Sequence, residues 1–241
     1  MSHSPILLFD FDGVVITQKA LEYAALKLLK KKFFKFQNIE NLRLIDFARL
    51  FEEADSKNRI KALIRAYKVY KKYIPSRWRR IFFFMKYRRF YPKYEKYETL
   101  KHDLKKVLVK LKTNGFPLAI VSNTSEARLN FFRNKLDLDN YFSIYISRDN
   151  TPYRKPNPYP ILLALKYIKM KYKVPIKKDN VYFIGDLPTD IETAKNAGIN
   201  SVALLSGHGV KVDLEESKPT VIIQEIKTLL EIEPFKKFIL D

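Results

Sequence analysis

The chain has 241 residues, enough for one ordinary domain or for one domain carrying a smaller insertion. A hydrophobic fraction of 46% excludes bulk disorder, and the absence of cysteine excludes a disulfide framework and a thiolate metal site. The net charge of +20 is unevenly spread: residues 17–98 hold 23 Lys/Arg against 8 Asp/Glu, which suggests a separate module that meets something anionic. An AT-rich coding sequence, which would also favour Ile, Tyr, Phe and Asn, would explain many of these lysines, but less well the scarcity of acids in that third alone.

The N-terminus opens on Pro5-Ile6-Leu7-Leu8-Phe9, a short apolar run of the kind a fully buried parallel strand shows. Asp10 and Asp12 interrupt it too soon for a signal peptide. No run of about 18 uncharged apolar residues follows anywhere, so no segment reads as a membrane span. A cytosolic location and no membrane partner are expected.

Residues 17–97 contain no convincing strand and no glycine. Helical stripes run through Leu21, Ala24, Ala25, Leu28 and Leu29, and through Leu42, Ile45, Phe47, Leu50 and Phe51. Two more cover Ile60–Tyr73 and Trp78–Arg89. The spacing predicts an inserted helical module over 17–97. It divides a core of residues 1–16 and 98–241.

After the insertion, Leu104, Val107, Leu108 and Leu111 fall at helical spacing, Gly115 stands as a helix stop, and Phe116–Val121 reads as a strand. Tyr141–Ile146 is a third strand, Pro158–Tyr172 a helix, Val181–Ile184 a fourth strand. Thr189–Ala197 is a short helix ended by Gly198, and Ser201–Leu205 a fifth strand. Apolar strands alternating with helices predict an α/β fold: a Rossmann-like parallel sheet with helices on both faces.

In such a sheet, ligands bind beyond the carboxyl ends of the strands. Those ends carry Asp10-Phe11-Asp12, Ser122-Asn123, Lys155 and Gly185-Asp186. Asp10 and Asp12, two apart, point the same way in an extended chain. With Asp186 they make an oxygen-lined site suited to magnesium, a hard cation that uses one or two carboxylates, water and substrate phosphate. A bound cation would let a carboxylate approach a phosphate dianion. Lys155 would add positive charge near the transferring oxygens, and Ser122 a hydrogen bond.

These motifs resemble, in order, those of the haloacid dehalogenase superfamily in its phosphatase branch: Asp10-Phe11-Asp12-Gly13, Ser122 at a strand end, Lys155 before Pro156, and Gly185-Asp186-x-x-x-Asp190. The likeness covers roughly residues 4–16 and 99–210. The last motif and the run Ile191 to Gly198 are closest to the phosphoglycolate-phosphatase-like subgroup, whose small α-helical cap the insertion resembles. The resemblance implies that Asp10 is a nucleophile carrying a phosphoryl group, and that Asp12 protonates the leaving oxygen and then activates water. It implies Mg2+ held by Asp10, the Asp12 backbone carbonyl and Asp186. Ser122, Asn123 and Lys155 would bind phosphate, with Gly13 and Gly185 in support. Asp190 would hold Lys155 or a metal-bound water. An acid at position 12 favours phosphate ester or anhydride hydrolysis over dehalogenation, while a phosphomutase would keep the same pair. The sequence departs from the family in Val14-Val15-Ile16-Thr17-Gln18 after Gly13 and in Asn123-Thr124-Ser125, where relatives often place a basic residue after Asn.

The expected activity is therefore hydrolysis of a small phosphorylated metabolite, with nucleotide, sugar phosphate, phosphoglycolate or pyrophosphate as candidates. A second class is a polyanion- or nucleic-acid-binding protein, since Trp78-Arg79-Arg80, Tyr87-Arg88-Arg89 and Tyr91–Tyr97 interleave basic and aromatic side chains. The plainer reading of that interleaving is a helix that buries its aromatics while its cations snorkel to water. Ser122 could instead cap a helix, Asp190 could serve as an N-terminal helix charge, and His208, in the loop after the fifth strand, could be an ordinary loop residue.

Overall fold

Successive residues of a strand face opposite sides of its sheet, so a strand covered on both sides must be apolar throughout. In a computed structural model of the chain, this is the state of Ile6–Phe9 (β1), Leu118–Val121 (β2) and Val181–Gly185 (β4), buried along their whole length. Ile144–Ile146 (β3), Asn200–Leu204 (β5) and Val221–Ile223 (β6) complete the sheet. The structure describes residues 4–17, 19–37, 71, 73–233 and 235–239, without the side chains at 21, 22, 25, 26, 29, 84, 88 and 92.

The six strands lie in the order β3-β2-β1-β4-β5-β6, every pair parallel. The chain adds β2 and β3 on one side of β1, then crosses back to add β4, β5 and β6 on the other. The strand order therefore reverses beside β1, where sheets of this kind form their crevice. Phe9 is level with Ile120 of β2 and Ile184 of β4, so Asp10, Ser122 and Asp186 emerge together at one edge.

Alternation divides the core in two. Leu7, Phe9, Ile120 and Ile184 pack on one face with Leu104, Val107 and Leu111 of α3 (Leu104–Thr113) and Leu129 and Phe132 of α4 (Glu126–Lys135). Leu8, Ala119 and Phe183 pack on the other with Ile161, Ala164 and Ile168 of α5 (Tyr159–Tyr172) and Ala194 of α6 (Pro188–Ala197). A last short helix, α7, covers Lys211–Glu216. The Gly198 backbone, at φ 70°, closes α6 by donating to the carbonyls of Ala194 and Lys195.

The α/β class and parallel sheet are as the sequence predicts, with three additions and two shortened strands; the one expected from Phe116 begins at Leu118, because Phe116 N still donates to Leu111 O at the end of α3. Helix α4 escapes the pattern because only Leu129 and Phe132 of its ten residues are buried, too few to make a stripe. Strand β6 is a three-residue edge with one buried side chain, and α7 is a six-residue helix with one. The expected strand from Tyr141 shrinks to β3, because Leu138–Asn140 is a 3-10 turn that feeds it.

The chain forms two compact units, Met1–Thr17 with Thr99–Asp241, and Gln18–Glu98. The first closes on itself where the chain leaves and returns: Thr17 N donates to Thr99 O at 2.9 Å, and Thr99 N to Thr17 Oγ1 at 3.2 Å. In the second, Lys19–Leu29 (α1) and Arg77–Tyr94 (α2) enclose Ala24, Leu28, Phe34, Ile74, Phe83 and Tyr87. The buried Glu98 carboxylate accepts from the backbone N–H of Lys19 (2.9 Å) and Ala20 (2.8 Å), meeting donors that a helix start leaves open. The stripe expected over Leu42–Phe51, and most of that over Ile60–Tyr73, lie outside the described residues.

Candidate active site

Asp10 follows the last residue of β1, and its N–H completes the sheet by donating to Ile184 O at 2.8 Å. Its carboxylate is buried beyond the strand's end, at 3% exposure. Lys155 reaches it from the loop after β3. Its Nζ lies 2.6 Å from Asp10 Oδ1 and 2.6 Å from Asp190 Oδ1. The loop is held in turn by Asn123, whose Oδ1 accepts from Lys155 N at 3.0 Å and whose Nδ2 donates to Lys155 O at 3.3 Å. The second strand's end therefore positions the backbone that carries the lysine.

Asp190 stands in the first turn of α6 and is fully buried. Its Oδ2 accepts from the N–H groups of Asp186 (3.1 Å) and Leu187 (3.0 Å), which leaves Oδ1 for Lys155. Gly185 makes this approach possible: a Cβ there would sit 2.2 Å from Asp190 Cβ.

Asp186 is fully buried after β4. Its Oδ2 accepts from His208 N at 2.6 Å and lies 2.8 Å from His208 Nδ1. Gly13, at φ 76°, packs against the same group, and a Cβ on it would meet Asp186 Oδ2 at 2.2 Å. Lys101 Nζ ties the two loops together, donating to Gly13 O and Ser206 O at 2.5 Å each. Burial lowers the Lys101 pKa, with Asp186 opposing.

The Asp12 side chain turns from this group to Arg128 in α4, with Oδ2 accepting from Nη1 at 2.8 Å. Arg128 also donates to Thr124 Oγ1 at 3.0 Å, and its guanidinium lies over the rings of Phe132 (5.2 Å) and Phe11 (5.7 Å). Ser122, 5% exposed, accepts from Thr124 N at 3.2 Å through its Oγ.

The structure thus gathers Asp10, Lys155, Asp186 and Asp190 into one buried group, with Asn123 behind Lys155 and Gly13 and Gly185 in close contact. Oxygens of Asp10, Asp186 and Asp190 lie within 4.8 Å of one another. Burial, then the Asp190 carboxylate, pushes Asp10 well above the ordinary carboxylate range even against the Lys155 ammonium. For Lys155, burial opposes the charge, but Asp10 and Asp190 outweigh it and raise its affinity for a proton. At Asp186, burial is outweighed by His208 and Lys101, and the carboxyl is held below its usual value. Lys101 and Arg128 belong to none of the sequence motifs. The absent basic residue after Asn123 was the one signal for Arg128, which supplies a cation one helical turn later.

The family description of haloacid dehalogenase-like hydrolases matches residues 7–204. A Caldanaerobacter subterraneus subsp. tengcongensis protein named "Putative pyrophosphatase PpaX" is 31% identical over 147 residues, 61% of this chain and 64% of that one. The phosphoglycolate phosphatase of Escherichia coli K12 is 34% identical over 120 residues, 50% of this chain and 45% of its own length. The chain thus spans about half to just under two thirds of the length of these curated relatives. A crystal structure of a Haemophilus somnus protein, described as a "predicted phosphoglycolate phosphatase", superposes with a TM-score of 0.69 at 21% identity, covering 96% of this chain and 98% of that one, and so shares its fold. With its motifs on the carboxyl edge of a parallel sheet and the family match spanning most of its length, the chain belongs to the haloacid dehalogenase-like hydrolases.

Proposed function

We propose that this chain is a magnesium-dependent phosphatase that hydrolyses a small phosphorylated metabolite through a phosphoryl group carried on Asp10. The observation that carries the reading is the buried group of Asp10, Asp186 and Asp190, bridged by one ammonium at 2.6 Å from two of them. One ammonium bridges Asp10 and Asp190, and Asp186 faces His208 and Lys101. The Asp186 Oδ1 atom is buried with no hydrogen-bond partner among the described residues, as an oxygen awaiting a hard cation would be.

The residues fit Mg2+, which the Asp10 and Asp186 side chains and, by the family resemblance, the Asp12 carbonyl would hold. When bound, the ion offsets the repulsion between the Asp10 carboxylate and a phosphate dianion. Asp10 attacks phosphorus, and the bond to the leaving oxygen breaks as Asp12 gives that oxygen a proton. Water then attacks phosphorus, Asp12 takes its proton, and the bond to Asp10 breaks to release phosphate. Lys155 and Ser122 orient the phosphoryl oxygens, Asp190 fixes Lys155, and Arg128 sets the resting position of Asp12.

Replacing Asp10 by Asn tests this reading: magnesium-dependent hydrolysis of a generic phosphate ester should disappear, and unchanged turnover would sink it. A panel of phosphoglycolate, sugar phosphates, nucleotides and pyrophosphate, with phosphosugar isomers followed by NMR, then separates phosphatase, pyrophosphatase and mutase. Pyrophosphate belongs in the panel because a 31%-identical relative carries that name.

A further inference from the structure

Helix α2 is apolar on two opposite faces, one buried in the helical unit and the other exposed among the described residues. Phe83 and Tyr87 point into the core of the helical unit, with Phe90, Tyr91 and Tyr94 packed beside them. On the other side stand Trp78 (77% exposed), Ile81 (39%), Phe82 (41%) and Met85 (64%). Their spacing of three, four and seven residues aligns them in one stripe. Phe33, also exposed, meets Phe82 edge-on at 5.4 Å between centroids and widens the patch. Arg89 and Lys93, both exposed, continue the stripe toward the C-terminus. The helix sequence RWRRIFFFMKYRRFYPKY holds no acidic residue.

We infer that this face of α2 docks the chain on an anionic phospholipid surface. An interfacial helix sets Trp and aliphatic side chains at the headgroup boundary and flanks them with Lys and Arg. Here the apolar stripe from Trp78 to Met85 is roughly 10 Å long. Arg79 and Lys86 border it, and Arg89 and Lys93 extend it, placed to meet lipid phosphates while their stems cover apolar surface. Charge argues against a second copy, whose identical basic face would repel this one. Geometry argues against nucleic-acid bases. Arg79 already sits over the Phe33 ring (5.8 Å) and Lys86 over the Phe82 ring (5.3 Å), and Ile81 and Met85 offer no ring to stack. Among the described residues no helix is long and apolar enough to cross a membrane, but a helix lying on the surface needs no such length.

Trp78 is the only tryptophan of the chain, so its fluorescence reports on this face alone. Adding vesicles of equal parts phosphatidylcholine and phosphatidylserine to the full chain should shift the emission to shorter wavelength. The shift should be absent with pure phosphatidylcholine and should fade with salt. The double variant Ile81→Ser, Met85→Ser keeps the reporter, and it should bind the mixed vesicles about tenfold or more weakly while its far-UV circular dichroism stays that of the parent. Three results would overturn the inference: no shift with anionic vesicles, unchanged vesicle binding by the double variant, or a response to poly(U) RNA or to protein concentration alone in place of vesicles. None of these outcomes bears on Asp10, so the inference and the phosphatase reading fail or stand separately.

Discussion

Replacing Lys155 by Met should destabilise the metal-free core by about 3–5 kcal/mol, the cost of breaking a buried ion pair by removing one partner. The ammonium side chain is 5% exposed and lies 2.6 Å from both Asp10 and Asp190. Met fills similar volume, so the loss is electrostatic more than steric. An independent figure agrees. Two carboxylates no more than 4.8 Å apart repel by at least roughly 3.5 kcal/mol at an effective dielectric of about 20. For a chain of this size each kcal/mol moves the melting temperature by about 2–4 °C, so the midpoint should fall by roughly 6–20 °C. The assay is thermal and urea unfolding at neutral pH in chelator, repeated in an Asp190→Asn background, where one of the stranded charges is already gone. There the same Lys155→Met change should cost at least about 1–2 kcal/mol less. Lys155→Met within about 1 kcal/mol of the parent, or an identical loss in both backgrounds, would refute the buried network.

Three further outcomes follow from the same geometry. A carboxyl whose pKa is raised on folding favours the folded state at low pH, and that stability is lost as pH rises above its unfolded value near 3.8. Metal-free protein should therefore lose stability from that point upward through Asp10, and Mg2+, which needs the ionised form, should raise the melting temperature more at pH 7 than at pH 5; equal increments would contradict this. Arg128→Met should lower kcat about tenfold or more and leave KM within a few-fold, with Arg128→Lys recovering part of the loss, because the guanidinium positions Asp12 and not the substrate. Gly185→Ala should cost about 1–3 kcal/mol in urea unfolding, since its Cβ would stand 2.2 Å from Asp190 Cβ.

The sheet was legible where burial was complete. Ile6–Phe9, Leu118–Val121 and Val181–Gly185 are apolar on both faces, and each is followed by a polar residue, Asp10, Ser122 or Asp186. Local pattern did not reach α4 or β6, because an element with one or two buried side chains leaves little periodicity to read. In the site, strand-end aspartates announce themselves by position. Arg128 does not, because it meets Asp12 across 116 residues of sequence, and Lys101 binds backbone oxygens that carry no sequence signal. The interleaved aromatics of α2 suggested burial with cations at the rim. Phe83 and Tyr87 follow that rule, whereas Trp78, Ile81, Phe82 and Met85 occupy the opposite, exposed face. A helix with apolar residues on both sides does not reveal from its sequence which side the core will claim.

The central claim is that Asp10 carries the phosphoryl group. Quenching the enzyme during turnover of a generic phosphate ester with Mg2+, reducing with borohydride and sequencing the peptides by mass spectrometry tests it most directly. An acyl phosphate on Asp10 would be converted to homoserine at position 10, only when substrate and magnesium are both present. Steady turnover with Asp10 unmodified, or homoserine formed at another aspartate, would contradict it.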